Sequence, residues 1–286
     1  MILSMTAYGQ AEAPINGRRY RVELKSVNNK YNDISIKLPP SLRAHETALR
    51  KDLANRLRRG KIFLTITEEA IDQNALPAID GEAVRHYWHQ LSQWFPSLQP
   101  ADVLAAILRR PEIWQQSDED TAKLWEQIQP LLDQAVSTFM EYRRTEGAGI
   151  EKDLIEKIAL IRDYLNQIEK KDPERITHIR QRLDKVVADI ADKADPARLE
   201  QELLWYMDRL DINEEKQRLR HHLDYFLQTL QNQKQEKGKK LHFIAQEMGR
   251  EINTIGSKAN DATIQRMVVE MKDALEKIKE QTANIV

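Results

Sequence analysis

Cysteine is absent from this chain of 286 residues, which excludes disulfides, thiolate metal sites and cysteine nucleophiles. Long apolar stretches are absent too, since no run approaches the roughly 18 apolar residues that suggest a transmembrane helix. The N-terminus MILSMTAYGQ has no basic segment followed by an apolar core, so we expect no signal peptide. These absences predict a cytoplasmic protein that has no membrane partner.

Common signatures of nucleotide binding and hydrolysis are also missing. The patterns GxxxxGK[ST], GxGxxG, HExxH and GxSxG do not occur. The formal net charge is −1, from 44 Lys and Arg against 45 Asp and Glu, so no global field attracts nucleic acid. Binding of that kind would have to come from local basic patches.

Alternating residues near the N-terminus predict β-strands. In Arg19–Val27 the side chains of Tyr20, Val22 and Leu24 share one side, as a half-buried strand requires. Pro39-Pro40 ends a later strand, and Ser41 can cap a helix. We expect strands at 2–7, 19–27, 34–38 and 61–67, with one helix from 41 to about 58.

Helical patterns dominate after residue 80. Pro130 and the segment Gly147–Gly149 are expected to interrupt helices, whereas Asp172-Pro173 and Asp195-Pro196 each place an Asp N-cap before a first-turn proline. We expect helices at 80–94, 101–108, 121–146, 150–170, 197–233 and 262–284, with a further helix that starts at Pro173 and another, with its caps, within 238–261.

The predicted fold class is α+β. A small N-terminal mixed β-sheet with one helix precedes a mainly α-helical region with long helices. We divide the chain into an N-terminal α+β region, a helical middle region and a C-terminal helical region, at 1–80, 81–195 and 196–286. The first carries a basic segment and the last carries two acidic stripes.

The first acidic stripe lies on the long helix expected at 197–233. Asp211, Glu215, Arg218 and His222 fall within about 60° at 100° per residue, and Glu214 lies beside them. Glu247 and Glu251 form the second stripe, one helical turn apart, with Arg250 between them. If the two helices pack antiparallel through their apolar faces, both stripes meet along one rim.

Carboxylates at one rim suit a divalent cation, because Mg²⁺ and Mn²⁺ prefer oxygen ligands. A cation beside basic groups favours phosphate-ester chemistry, and His222 can act as a proton relay or a nitrogen ligand. The alternative is a solvated helix face joined by weak ion pairs of about 0.2–0.5 kcal/mol each.

A basic segment lies near the N-terminus. Seven Lys and Arg residues stand against two acidic residues between Ser41 and Lys61, and such a patch can hold RNA or DNA in a salt-dependent way. The loop 25–31 adds hydrogen-bonding side chains, two cations and a tyrosine ring. A basic helix end and an ordinary turn explain these two features almost as well.

Several separated segments, taken in order, resemble the YicC/YloC family of bacterial endoribonucleases. They are SMTAY at 4–8, ELKSVN at 23–28, RGK at 59–61, DINEE at 211–215 with Arg218 and His222, QEMGREINT at 246–254, SK at 257–258, and EQTANI at 280–285. The resemblance covers essentially the whole chain.

The resemblance implies a cytoplasmic, metal-dependent endonuclease that cleaves single-stranded or hairpin-containing RNA. It also implies a ring-like homo-oligomer, expected to be a hexamer. On this basis we expect Asp211, Glu215, Glu247 and Glu251 to bind Mg²⁺ or Mn²⁺. The expected catalytic residues are His222, Arg218, Arg250 and Glu214, and the expected RNA-binding residues are Lys25, Asn28, Lys30, Arg58, Arg59, Lys61, Lys239, Lys240 and Lys258.

Three positions depart from the family pattern. His242 replaces the usual Asp, His221 stands where a small residue is common, and Lys30 replaces an arginine whose fork suits phosphate. Two rival interpretations remain. One is a non-catalytic RNA-binding adaptor that presents RNA to another nuclease, and the other is a helical structural protein that does not bind nucleic acid.

Overall fold

The structure is a computed structural model that describes residues 2–29, 31–57, 60–71, 79–95, 99, 104, 106–107, 109, 121–190, 195–232 and 237–285. Its strands are β1 (Ala7–Ile15), β2 (Arg18–Val27), β3 (Asn32–Lys37) and β4 (Gly60–Ala70). Its helices are α1 (Glu46–Arg56), α2 (Gly81–Trp94), α3 (Thr121–Ile190), α4 (Pro196–Leu210), α5 (Asn213–Gln231), α6 (Gly238–Ala259) and α7 (Ala262–Ala283), with a 3-10 helix at Pro40–His45. The predicted α+β fold class is confirmed.

The chain groups into two compact units. The sheet unit contains Tyr8–Ser26 and Asn32–Met140, and the helical unit contains Met1–Ala7, Val27–Tyr31 and Glu141–Val286. The three-part division of the chain at residues 80 and 195 remains a prediction.

The sheet unit contains a four-stranded sheet in the order β1-β2-β4-β3. Strands β3 and β4 are parallel, with Ile34 opposite Ile62 and Ser35 opposite Phe63. The alternation predicted for β2 is confirmed, because Tyr20, Val22 and Leu24 are all buried. The other face of the sheet is more exposed.

Strand β1 corrects the expectation of a strand at 2–7. It begins at Ala7 and joins β2 through Asn16-Gly17, whose φ angles are +49° and +76°. Positive φ at both central residues is typical of a type I′ hairpin turn, which Asn-Gly favours. The small residues of β1 weaken its sequence signal, but a Cβ at Gly9 would lie only 2.4 Å from the Ala135 carbonyl oxygen. Glycine therefore lets α3 approach the sheet closely.

Helix α3 corrects three predicted interruptions, because it continues through Pro130, through Gly147–Gly149 and through Asp172-Pro173. Asp172 does not cap a new helix. Its carboxylate accepts hydrogen bonds from Arg175 Nε at 2.7 Å and Lys216 Nζ at 2.6 Å. The apolar residues of α3 on both sides of this point are buried, and that burial offsets the backbone bond that Pro173 cannot donate.

The helix expected at 197–233 is two helices, α4 and α5. They are separated at Asp211, which has extended backbone (ψ 130°), and at the buried Ile212. Asp211 Oδ1 accepts a hydrogen bond from the Asn213 backbone N–H at 2.9 Å. Asp211 thus satisfies a donor at the start of α5 rather than lying on a helix face.

The last two helices form a short-linked hairpin. Asn260 adopts a left-handed conformation (φ +46°) after α6, and Asp261 caps α7 by accepting from Thr263 N and Ile264 N. The predicted apolar stripe of α7 is buried, including Ile264, Val268 and Met271. The short helix expected at 101–108 falls largely outside the described residues.

Buried Arg175 holds the ends of two helices in the helical unit. Its guanidinium donates to the Ala259 carbonyl oxygen of α6 and to the Leu210 carbonyl oxygen of α4, each at 2.9 Å. These contacts fix the segments that carry Lys258 and Asp211. Among the described helices, none combines enough length and apolar character to cross a lipid bilayer.

Candidate active site

Helices α5 and α6 bring the two predicted stripes together. The apolar residues of both helices are buried, with Leu219, Leu223 and Phe226 on α5 and Leu241, Ile244 and Met248 on α6. Lys258 near the end of α6 contacts Glu215 near the start of α5, and Lys237 just before α6 donates to the Leu230 carbonyl oxygen near the end of α5. The helices are therefore antiparallel, which is the condition under which the two stripes were expected to meet.

A cavity of about 470 Å³ opens beside this helix pair. Six polar side chains line it: Gln217, Arg218, His221, His222, Glu247 and Glu251. Four of them were predicted as site residues from the sequence, namely Arg218, His222, Glu247 and Glu251. Gln217 was missed because it lies outside the narrow acidic stripe, although a wider helical band would have included it.

Glu251 is the most buried carboxylate of the cavity, with 8% of its surface exposed. Burial is the largest cause that raises the pKa of Glu251 above its usual value. Arg218 opposes this rise. Neighbouring carboxylates on both helices reinforce it: Glu215, Glu214 and Glu247. Glu251 therefore lies where negative charge is concentrated.

Glu247 is partly balanced by Arg250 on the same helix. Arg250 Nη1 lies 2.8 Å from Glu247 Oε1 and donates a hydrogen bond to Oε2 at 3.1 Å. The Oε1 atom is buried and accepts no hydrogen bond of good geometry. Arg250 remains mostly exposed, so its guanidinium can also reach an anion from solvent.

His222 has a pKa below its usual value. Burial is the largest cause of this lowering, His221 and Arg218 add to it, and the Glu247 carboxylate opposes it. The imidazole is therefore neutral near neutral pH and retains a nitrogen that can accept a proton.

Glu215 and Lys258 join helices α5 and α6 but do not line this cavity. Lys258 Nζ donates to Glu215 Oε1 at 2.8 Å, while the buried Glu215 Oε2 accepts no hydrogen bond. The hydrogen bond to Glu215 is the main cause that raises the pKa of Lys258, and Asp211 contributes to the rise. Asp211 thus lies near the site but projects from the segment before α5. Glu214 is exposed and forms an ion pair with Arg218.

A second cavity, of about 560 Å³, adjoins Lys258. Its lining includes Ser257, Lys258 and Arg209. Only Lys258 among its lining residues was predicted as a site residue. Side-chain periodicity did not single out Arg209, because this residue belongs to helix α4, whose separation from α5 was not predicted.

The predicted RNA-binding residues lie in several places. Lys25 and Lys61 lie on the sheet, whereas Asn28 donates to Asn284 Oδ1 at 3.2 Å in the helical unit. Lys240 lies over the Tyr225 ring at 4.6 Å, and Lys239 is exposed on α6. Lys30, Arg58 and Arg59 fall outside the described residues.

The acidic groups suit a divalent cation in their chemistry. Among the described residues, no group of three His, Asp or Glu side chains is arranged to hold a metal ion. Glu247 and Glu251 nevertheless line one cavity, and Glu215 Oε2 is buried without a donor. Mg²⁺ is often held by one or two carboxylates, with water and substrate phosphate completing its shell. The donor set fits such an ion.

This combination defines an α+β protein with a polar cavity on a helix pair, lined by two carboxylates, two histidines, an arginine and a glutamine. Residues 2–152 match the family model described as "Endoribonuclease YicC-like, N-terminal region", and residues 168–286 match "Endoribonuclease YicC-like, C-terminal". The chain belongs to the YicC-like endoribonuclease family.

Two relatives align along their full lengths with the full length of this chain. The "Probable endoribonuclease YicC" of Clostridioides difficile (strain 630) is 30% identical over 294 residues. The "Probable endoribonuclease YicC" of Haemophilus influenzae (strain ATCC 51907 / DSM 11121 / KW20 / Rd) is 29% identical over 288 residues. The resemblance identified from the sequence motifs is confirmed.

Proposed function

We propose that this protein is an endoribonuclease that hydrolyses phosphodiester bonds in single-stranded or hairpin-containing RNA. The observation that carries the proposal is the position of Glu251, which is buried among other carboxylates in a cavity shared with His222 and Arg218. Family membership supplies the reaction class. RNA turnover, including that of small regulatory RNAs, is the proposed role.

Glu247 and Glu251 would hold Mg²⁺ or Mn²⁺, with Glu215 and Asp211 contributing through water. When bound, such a cation polarises phosphoryl oxygen and makes bound water more acidic. The neighbouring carboxylates that raise the pKa of Glu251 favour binding of a positive charge at this position.

The basic groups and the histidine act on the RNA itself. Arg218, Arg250 and Lys258 would neutralise the scissile phosphate, since charge-assisted hydrogen bonds to phosphate are strong. Glu214 orients Arg218 through their ion pair. His222 is neutral, so it can orient the attacking water and accept its proton.

The remaining basic residues are proposed to follow the RNA backbone. They are Lys25, Asn28, Lys30, Arg58, Arg59, Lys61, Lys239 and Lys240. We further propose that the protein acts in the cytoplasm as a homo-oligomer, and a hexameric ring is the assembly that the sequence motifs imply. A ring would allow one subunit to complete the site of another.

Cleavage assays with matched variants test the proposal. The parent is expected to cut a hairpin RNA with single-stranded flanks, and EDTA should abolish cutting until Mn²⁺ is restored. Glu251→Gln and Glu247→Gln should lower the cleavage rate at least about a hundredfold, since electrostatic groups of an active site have effects of this size. Glu270→Gln, an exposed position on α7, is the control.

The cut ends distinguish the chemistry. Metal-assisted attack by water leaves a linear phosphate, whereas attack by the ribose 2′-hydroxyl leaves a cyclic phosphate. Both glutamate variants are compared with the parent for folding by circular dichroism and for RNA retention by filter binding. If they fold, bind RNA and cleave as fast as the parent, the carboxylate site is wrong. A parent that binds RNA but never cleaves it would instead identify an adaptor.

A further inference from the structure

The exposed face of the β-sheet carries two aromatic rings, each beneath a lysine. Tyr8 on β1 is 38% exposed and Phe63 on β4 is 37% exposed. The Lys25 ammonium lies 5.4 Å from the Tyr8 ring centroid, and the Lys61 ammonium lies 5.3 Å from the Phe63 ring centroid. Tyr8, Phe63, Lys25 and Lys61 are named here the sheet-face cluster.

The strand pairing places these residues at one end of the sheet. Arg18 and Tyr20, near the start of β2, contact Glu68 near the end of β4 at 3.2 and 3.1 Å. Strands β2 and β4 are therefore antiparallel neighbours, and the end of β2 that carries Lys25 lies beside the start of β4. Lys25 also contacts Tyr8 on the neighbouring β1.

The aromatic rings do not serve the core of the sheet unit. Their strand neighbours Gly9, Ile62 and Leu64 point to the buried face, so Tyr8 and Phe63 point away from it. Exposed aromatic rings offer flat surfaces on which unpaired bases stack, and every base can use them. Four-stranded sheets that present aromatic rings in this way are a known means of binding single-stranded RNA.

The two lysines give the face a charge that suits RNA. Lys25 lies 3.2 Å from Glu23, and Lys61 lies 3.8 Å from Asp33. Lys25, Lys61 and Asp33 are exposed and Glu23 is partly exposed, and ion pairs at the surface contribute little stability. Phosphate groups can therefore compete for the ammonium groups, while the rings below them take the attached bases.

We propose that the sheet-face cluster is a stacking platform for two unpaired bases of single-stranded RNA. This inference rests on the proposed function because RNA is its ligand, but it concerns binding rather than cleavage. Tyr8 and Phe63 stack the bases, and Lys25 and Lys61 contact the adjoining phosphates.

Binding to an uncut RNA tests the platform. The probe is an unstructured oligouridine with one fluorescent purine analogue, and the Glu251→Gln protein is used so that cleavage does not interfere. Stacking should quench the fluorophore. Tyr8→Ala and Phe63→Ala should each reduce quenching and weaken binding about tenfold, whereas Tyr8→Phe and Phe63→Tyr should preserve both. Tyr142→Ala removes a ring of comparable exposure from α3 and is the control.

The lysines have a separate readout. Lys25→Gln and Lys61→Gln should each reduce the salt slope of binding by about 0.7, the value for one phosphate contact on a single strand. Oligomer mass is measured for every variant by light scattering. If the ring variants change that mass and leave RNA affinity intact, the face contacts protein and the platform is wrong.

The outcomes separate this inference from the proposed cleavage. Unchanged quenching and affinity in both alanine variants would overturn the platform and leave the nuclease proposal intact. Ring-dependent binding by a parent that cannot cleave RNA would support the platform and overturn the nuclease. A Glu251→Gln protein that does not bind the oligouridine would overturn the platform.

Discussion

The Lys258 ammonium group donates a hydrogen bond of 2.8 Å to Glu215 Oε1, which joins the last turn of α6 to the first turn of α5. Glu215 is buried and Lys258 is partly exposed. This contact fixes the antiparallel register of the two helices and places a cation against Glu215, one of the carboxylates that raise the pKa of Glu251. It therefore links the packing of the helix pair to the candidate chemistry.

Removing Lys258 should destabilise the folded protein, because Glu215 is a buried carboxylate. Lys258→Met leaves a buried carboxylate without its donor, so we expect a loss of about 1–3 kcal/mol in the free energy of unfolding. Glu215→Gln combined with Lys258→Met should lose less than the two single variants added together. Urea denaturation measures all three, and strictly additive losses would contradict direct coupling of the pair.

Glu251→Gln should stabilise the protein at neutral pH while it removes cleavage. Because the pKa of Glu251 is raised in the folded protein, the folded state prefers the protonated acid. The stabilising contribution is complete below the unfolded pKa and is lost as pH rises through the folded pKa. Glutamine cannot lose a proton. The melting temperature of Glu251→Gln should therefore exceed that of the parent at pH values above the folded pKa of Glu251.

Thermal melts at several pH values test the direction of this stability difference between Glu251→Gln and the parent. The advantage of Glu251→Gln should shrink on acidification and disappear below the ordinary pKa of glutamate. Glu270→Gln at an exposed site should show no comparable trend. If Glu251→Gln melts at a lower temperature than the parent at neutral pH, the pKa of Glu251 is not raised in the folded protein.

The titration of His222 should respond to its two charged neighbours in opposite directions. Glu247 raises and Arg218 lowers the pKa of His222, although burial has the larger effect. Glu247→Gln should therefore lower this pKa further, and Arg218→Gln should raise it. Imidazole proton resonances followed by NMR give both values, with His221→Gln used for assignment. Shifts in the same direction would contradict the proposed geometry.

Two nearby glycines of α3 should respond differently to alanine. A Cβ at Gly147 would lie 2.1 Å from the Ile2 carbonyl oxygen, whereas a Cβ at Gly149 meets no atom within 4 Å. Alanine is favoured over glycine inside a helix by about 0.5–1 kcal/mol. Gly149→Ala should therefore stabilise the protein, and Gly147→Ala should destabilise it by displacing the N-terminal segment. Chemical denaturation measures the free energy of unfolding of both variants. Equal effects would contradict the close contact between Gly147 and the Ile2 carbonyl oxygen.

The buried network around Arg175 should be sensitive to truncation. Arg175→Ala leaves Asp172 with only Lys216 as a cation and removes the donors to two helix ends. We expect a loss of about 3–5 kcal/mol, as for other broken buried ion pairs. Lys171→Ala, which removes a surface pair with Glu174 one turn away, should change stability little. Similar losses in the two variants would refute a special role for the buried network.

Local patterns predicted the residues of the candidate site better than the elements that carry them. Glu247, Glu251, Arg218 and His222 were expected at one rim, and they line one cavity. The spacing of these residues predicted a shared helix face, because it places their polar side chains on one side of an apolar stripe. The helix that should have carried Asp211 is broken at that residue, because a short capping contact there replaces helical hydrogen bonding.

The amino-acid sequence by itself determined the alternating strand β2, the apolar stripes of the C-terminal helices and the composition of the acidic rim. These features arise from side-chain periodicity, which is a local property. Only the tertiary structure decided that α3 continues through Gly147 and Pro173, and that Glu251 is buried among carboxylates of another helix. A glycine or proline disfavours a helix by a limited free energy, which distant packing offsets. Burial and charge at Glu251 depend on neighbours that no local pattern contains.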